Sequence, residues 1–188
     1  MPKISAATVA EHHNAQRRAL LDAARALLTE APDRAPGLAD VAARAGLARS
    51  SAYNYFRSRQ DLLAAVVEDM FPRWNERVSA AMAAAGTPQA RVLAYVDANI
   101  ALVVEGEHAV VGALTRLEPD AVSRERMAAL HGELAEPLTA ALRDGGSANP
   151  RAAAALVNAV VHSATVLLES GEPPATVRAA VRETLAYA

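Results

Sequence analysis

The stretch Leu38 to Arg59, LADVAARAGLARSSAYNYFRSR, constrains this chain more than any other. Leu38, Val41, Ala42 and Ala45 recur at helical spacing, Gly46 follows, and a second short helix is predicted from about Arg49 to Phe56. A residue just past a helix end often takes a left-handed backbone, which only glycine adopts without a steric cost. The pattern is a helix-turn-helix. Leu47, Ala52 and Phe56 are expected to point inward. Arg49, Ser50, Ser51, Tyr53 and Tyr55 then point outward, with Arg57 and Arg59 next along the chain. Such groups suit phosphates and base edges.

Composition agrees with a helical chain. Alanine, the best helix former, occupies 47 of 188 positions, while aromatic residues make up only 4% and long β-branched alternations are absent. The length allows one compact domain or two small ones, and 52% hydrophobic residues can bury a sizeable core. Without cysteine there is no disulfide framework, thiolate chemistry or Cys-ligated metal. The net charge of −2 hides an asymmetry: residues 1–64 carry nine Lys/Arg against six Asp/Glu, and residues 65–188 carry ten against fifteen. A basic reading head on an acidic body fits that division.

Val41-Ala42, Ala45-Gly46-Leu47, the run Ser50-Ser51-Ala52-Tyr53-Asn54-Tyr55-Phe56, then Ser58-Arg59 and Asp61-Leu62-Leu63 together resemble the signature of TetR-type transcriptional regulators. The match covers residues 14–64. The resemblance implies an all-α, homodimeric protein of about nine helices. Residues 1–58 would form a three-helix DNA-binding domain and residues 59–188 a helical bundle for ligand binding and dimerisation. It implies a cytoplasmic repressor whose binding to a double-stranded operator is modulated by a small-molecule effector, with no cofactor and no membrane partner. The alternative is a helical ligand-binding protein or enzyme that keeps the fold without operator binding. Arg49 is expected to read a base, and Tyr53, Tyr55 and Arg59 to hold phosphates. The chain departs from the family at two helix N-caps, with Gly37 and Ala48 where Ser or Thr is usual. The first costs a few tenths of a kcal/mol and the second about 1 kcal/mol.

Residues 1–7 are expected to be disordered, with a first helix starting at Thr8, where Thr-x-x-Glu forms a capping box, or at Asn14. Leu20, Leu21, Ala24, Leu27 and Leu28 give it an apolar face to back the two motif helices. His12 and His13 could reach phosphates. A long helix from Arg59 carries Leu62, Leu63, Val66, Val67, Met70, Trp74, Val78 and Met82, and Pro72 inside it predicts a kink or break. Thr87-Pro88 and Asn149-Pro150 each pair a cap with proline at the first helical position. Between them lie a short helix after Gly106 and a longer one from Pro119, carried by Met127, Leu130, Leu134 and Leu138, disturbed at Pro137 and closed by Gly145-Gly146. Pro173-Pro174 begin the last helix.

The helix over 150–170 is apolar nearly all round, so it needs burial on two sides. One side can face its own domain; the other predicts a partner copy, joined through the helices at about 150–170 and 174–187. Asn158 and His162 interrupt its apolar run, which favours a buried helix over a membrane span of about 18 or more residues.

No catalytic motif is found: there is no Gly-x-Ser-x-Gly, P-loop, His-Glu-x-x-His or Gly-x-Gly-x-x-Gly. Glu105-x-x-His108 has di-metal spacing but lacks the second pair such sites need, so no metal is predicted. Polar residues near the apolar stripes, Tyr95, Asn99, His131, Asn158 and His162, are the candidate ligand contacts, with Trp74, Val78 and Met82 as apolar wall.

Overall fold

The computed structural model describes residues 6–117 and 123–186. These residues form helices and no strands: α1 (Ala6–Glu30), α2 (Leu38–Arg44), α3 (Arg49–Ala52), α4 (Arg59–Ala83), α5 (Pro88–Val104), α6 (Glu107–Leu117), α7 (Arg124–Asp144), α8 (Pro150–Glu169) and α9 (Pro174–Ala186). The predicted fold class is therefore the observed one. Most of the expected residues 1–7 tail and the Pro119 helix start lie outside the described residues, as does the side chain of Met127. Where the chain is described, Ala6 and Ala7 are already helical, Thr8 lies within α1, and α7 starts at Arg124 behind the Ser123 cap.

Helix ends follow local chemistry. The hydroxyl of Thr87 accepts from the Ala90 amide at 3.1 Å, that of Ser123 from Arg126 at 3.1 Å, and the Asn149 carbonyl from Ala152 at 3.2 Å. Each satisfies one of the amides a helix start leaves unpaired. At the start of α4 the Ser58 hydroxyl accepts from the Asp61 amide at 3.1 Å, while the Asp61 carboxylate accepts from the Arg57 amide at 2.9 Å.

Packing divides the described chain into two compact units. One holds the residues up to Met70 together with those from Ala109 to the end of α6; the other holds Phe71–His108 and the residues from Ser123 onward. In the first unit α1 packs on α2 and α2 on α3. Leu20, Leu21, Leu28, Val41, Leu62, Leu63, Val66 and Val67 are its largest fully buried side chains. The Arg44 guanidinium forms a two-pronged bond with Glu30, at 2.9 and 2.6 Å, which ties the end of α2 to the end of α1. That pairing holds the Glu30 carboxyl below the usual carboxylate range. In the second unit α8 packs against α7, α5 and α9 around a core of Val78, Met82, Val96, Ile100, Leu138 and Val157.

Two expectations are corrected. The motif's second helix ends at Ala52 rather than Phe56. After it the amides of Asn54 and Tyr55 bond three residues back, to Ser51 at 3.1 Å and Ala52 at 3.0 Å, which tightens the chain into turns. Pro72 does not break α4, which runs through it over 25 residues. Proline deprives the Glu68 carbonyl of its helical donor, but Pro72 and Glu68 are both exposed, so solvent can serve that carbonyl. Met70, Phe71 and Val78 are buried on the opposite side. Pro137 is likewise carried within a continuous α7.

Candidate functional site

The helix-turn-helix is built around the end of α2. Gly46 sits at φ 70°, its amide bonds the Ala43 carbonyl at 3.1 Å, and the Leu47 amide reaches back to Ala42 at 2.8 Å. These two bonds are the Schellman closure, which uses up carbonyls the helix end would otherwise leave unpaired. A Cβ on Gly46 would meet nothing within 4 Å, so glycine is required there by backbone conformation and not by space. Half of a capping box survives at α2, where the Asp40 carboxylate accepts from the Gly37 amide at 3.2 Å. Ala48 has the extended backbone of a cap (φ −65°, ψ 145°) but offers no side-chain acceptor.

Beyond the turn, Ala52 and Phe56 are buried and Leu47 is half-buried, as expected. Arg49, Ser50, Tyr53, Arg57 and Arg59 are exposed, and Ser51 is half-buried. Tyr53 keeps 48% of its surface accessible although it is a large aromatic residue. Tyr55, expected outward, is turned half inward because the chain tightens after Ala52. Its hydroxyl donates to the Gln16 side-chain carbonyl at 2.6 Å, and its ring lies 4.5 Å from that of His13 at a 39° tilt. The Arg17 guanidinium stands 5.7 Å from the centre of the Phe56 ring. His13, Gln16 and Arg17 are spaced i, i+3, i+4 and so share one face of α1. The sequence reading missed Gln16 and Arg17. Their spacing marks a helix face, but nothing local says what that face meets.

In the second unit, four of the candidate ligand residues form one chain of hydrogen bonds. The Trp74 indole N–H donates to the Asn99 carbonyl oxygen at 2.9 Å, the Asn99 amide donates to the Tyr95 backbone carbonyl at 2.8 Å, and the Tyr95 hydroxyl donates to the Asn158 carbonyl oxygen at 2.7 Å. The chain links α4, α5 and α8 among Val78 and Met82, which are buried in the same core. Burial pushes the Tyr95 phenol above its ordinary range. His131 and His162 do not join this group. His131 is exposed, with its ring edge-on to Phe71 at 5.3 Å, and His162 is exposed on α8.

The Glu105-x-x-His108 spacing is occupied by ion pairs. Glu105 binds Arg77 through both oxygens, which lowers its pKa, and His108 Nδ1 lies 2.8 Å from Glu169. Among the described residues no three His, Asp or Glu side chains gather where they could hold a metal ion.

Comparison with known proteins bears on the same segment. Residues 20–66 match the family model described as bacterial regulatory proteins, tetR family. The HTH-type transcriptional regulator BetI of Rhizobium meliloti is 32% identical over 96 residues, which is 51% of this chain and 44% of that protein. The HTH-type transcriptional repressor LfrR of Mycolicibacterium smegmatis is 35% identical over 86 residues, 46% of this chain and 44% of that protein. The matched part of the chain thus spans less than half the length of these curated relatives. The solved structure of LfrR, in complex with proflavine, aligns over 91% of this chain and 95% of that one, with 26% identity and a TM-score of 0.64. FadR from Bacillus subtilis, in complex with stearoyl-CoA, shares the fold over 89% of this chain and 96% of its own, with 18% identity and a TM-score of 0.72. Residues 20–66, the segment that carries the helix-turn-helix, are thus similar to the bacterial regulatory proteins of the tetR family.

Proposed function

We infer that the chain is a transcriptional repressor that binds a double-stranded operator as a homodimer, under the control of a small-molecule ligand, in the cytoplasm. Residues 1–58 serve as the reading domain and residues 59–188 bind ligand and partner. One observation carries the DNA reading: a helix-turn-helix sealed inward by Ala52 and Phe56 presents Arg49, Ser50 and Tyr53 together on its exposed side. Arg49 opens α3, where a side chain can enter the major groove, and arginine on guanine is the commonest specific contact. Tyr53 and Arg59 act on phosphates, with Ser50 and Ser51 as short-range donors. The repressor role is supported by the likeness to LfrR, itself a repressor.

The dimer reading rests on α8. Leu156, Val166 and Leu167 expose 70%, 51% and 45% of their surfaces, and Ala155, Ala159 and Ser163 are exposed beside them. Relative to Ala159 these positions lie at i−4, i−3, i, i+4, i+7 and i+8, so they share one helix face, apolar except at Ser163. A second copy covers it most economically, because a two-fold axis lets one face serve both partners. Exposed Ala180 and Thr184 extend the face onto α9.

The ligand reading rests on the group formed by Trp74, Val78, Met82, Tyr95, Asn99 and Asn158. None of these six side chains carries a charge near neutral pH, since burial pushes the Tyr95 phenol above its ordinary range. A charged ligand buried there would lack a counter-charge, at a cost of several kcal/mol, so the effector is uncharged and mainly apolar. Control of DNA binding runs along α4, which follows the reading segment directly and carries Trp74, Val78 and Met82 without interruption at Pro72. In a dimer the two heads must match half-sites about 34–36 Å apart, or a multiple of that, so a small tilt of each α4 spoils the register. The ligand must contact the two tilts differently, since equal affinity for both would shift nothing.

Three outcomes are expected. Arg49→Ala should lose about 1–3 kcal/mol on a duplex selected by the protein from a random library and relax discrimination at one base pair per half-site; equal losses on selected and random duplex would remove its base-reading role. Leu156→Asp combined with Leu167→Asp should convert a sedimenting dimer to a folded monomer with unchanged helical circular dichroism, and a dimer that persists contradicts the α8 face. In a thermal-shift series with octanol, proflavine and stearoyl-CoA, only octanol should stabilise, by about 2.7 kcal/mol at a hundred times its Kd. Stabilisation by either charged probe alone overturns the neutral-ligand reading, and equal octanol affinity for free and operator-bound protein overturns the coupling.

A further inference from the structure

The DNA-facing groups stand on a segment that has little means of holding its own shape. Helix α3 is four residues long, and forming a single turn of helix is unfavourable because several dihedrals are fixed for one hydrogen bond. Its N-cap, Ala48, supplies no acceptor. Beyond Ala52 the chain folds into tight turns, held by amides of Asn54, Tyr55 and Phe56 on carbonyls of Ser51 and Ala52. Two buried anchors, Ala52 and Phe56, fix the depth of the segment, but alanine is small and both lie on the same line. A third point of attachment is needed to fix rotation about that line, and α1 supplies it.

We propose that Gln16 is a positioning residue of the DNA interface, acting through the hydroxyl of Tyr55. This rests on the DNA-binding reading of the helix-turn-helix. Tyr55 and Tyr53 are two residues apart yet have opposite fates: Tyr53 is exposed, while Tyr55 is half-buried with its hydroxyl proton already given to Gln16 at 2.6 Å. Gln16 is itself half-buried, so this bond is shielded in part from competing water. The His13 ring lies against the Tyr55 ring on one side, and Arg17, one helical position further on, lies over neighbouring Phe56. The face of α1 formed by His13, Gln16 and Arg17 therefore grips two consecutive aromatic residues. Tyr55 does not hold a phosphate in this arrangement. It holds the turn that carries Tyr53 and, through α3, Arg49.

The thermodynamic consequence is a population effect. Without the Gln16 bond the segment samples other rotations, and apparent affinity falls by the fraction of time spent in the binding pose. Gln16→Ala and Tyr55→Phe should each weaken binding to the selected duplex by about fivefold, the worth of one net hydrogen bond. The double variant should bind no more weakly than either single one, because both remove the same bond. In the DNA-free protein, exchange of the Asn54, Tyr55 and Phe56 amides should speed up to a similar extent in all three variants. Gln16→Glu, which keeps an acceptor, should retain wild-type exchange. If Tyr55→Phe weakens binding in the Gln16→Ala background as much as in the wild type, the hydroxyl meets DNA directly and the proposal falls. Unchanged exchange in Gln16→Ala also overturns it, whatever happens with DNA. A wild-type protein that selects no duplex refutes the DNA-binding reading instead, and the exchange arm still decides the role of Gln16.

Discussion

A one-turn helix cannot hold a fixed pose by its own hydrogen bonds, and the first unit of this protein is arranged around that constraint. Gly46 at positive φ closes α2 and redirects the chain, and this is the one step in the motif that a side chain would obstruct through conformation alone. Burial of Ala52 and Phe56 then sets how deep α3 sits. The Tyr55–Gln16 bond and the His13 ring complete the attachment to α1. Packing of α1 on α2, with the Arg44–Glu30 pair at its exposed edge, refers both motif helices to the same long helix. Stability in this unit comes from tertiary packing, and the exposed groups inherit their positions from it.

The second unit answers a different constraint, the cost of burying polar groups. Trp74, Tyr95, Asn99 and Asn158 would each be costly alone in an apolar core, but they satisfy one another across three helices. Such a chain fixes the mutual rotation of α4, α5 and α8, since each bond has a narrow geometric tolerance. Around it, ion pairs Arg91–Asp144 and Arg182–Asp97 join α5 to α7 and α9 at the surface, where each contributes little. What this unit leaves undone is the outer face of α8. A helix with Leu156, Val166 and Leu167 exposed on one face is an incomplete solution for a single chain.

Much of this was legible in the residues because it is local. The Thr87-Pro88 and Asn149-Pro150 helix starts and the Gly46 turn appear where local chemistry put them. What was not legible depends on contacts distant in the chain. The pattern Ala52–Phe56, spaced i, i+4, reads as helix whether or not the helix continues, and it is the reach of Tyr55 to a residue 39 positions away that accompanies the tighter turn. Proline rules foretold a kink or break at Pro72; α4 runs on through it, with the affected carbonyl's side exposed and the other side buried. His131 and His162 lie at helical spacing from apolar residues, yet periodicity marks a stripe without saying which neighbour, if any, covers it. Both are exposed, while Asn99 and Tyr95 are buried.

The central claim is that two copies of this chain present two reading heads to one duplex. The most direct test is selection of binding sequences by the full chain from a random duplex pool at fixed ionic strength, with footprinting of the enriched sequence. The account predicts two half-sites related by a dyad, centred one helical turn apart or a multiple of it, about 34–36 Å per turn, with protection over both. An enriched sequence with a single half-site would contradict the dimeric arrangement, and a pool that shows no enrichment would contradict the reading of the helix-turn-helix itself.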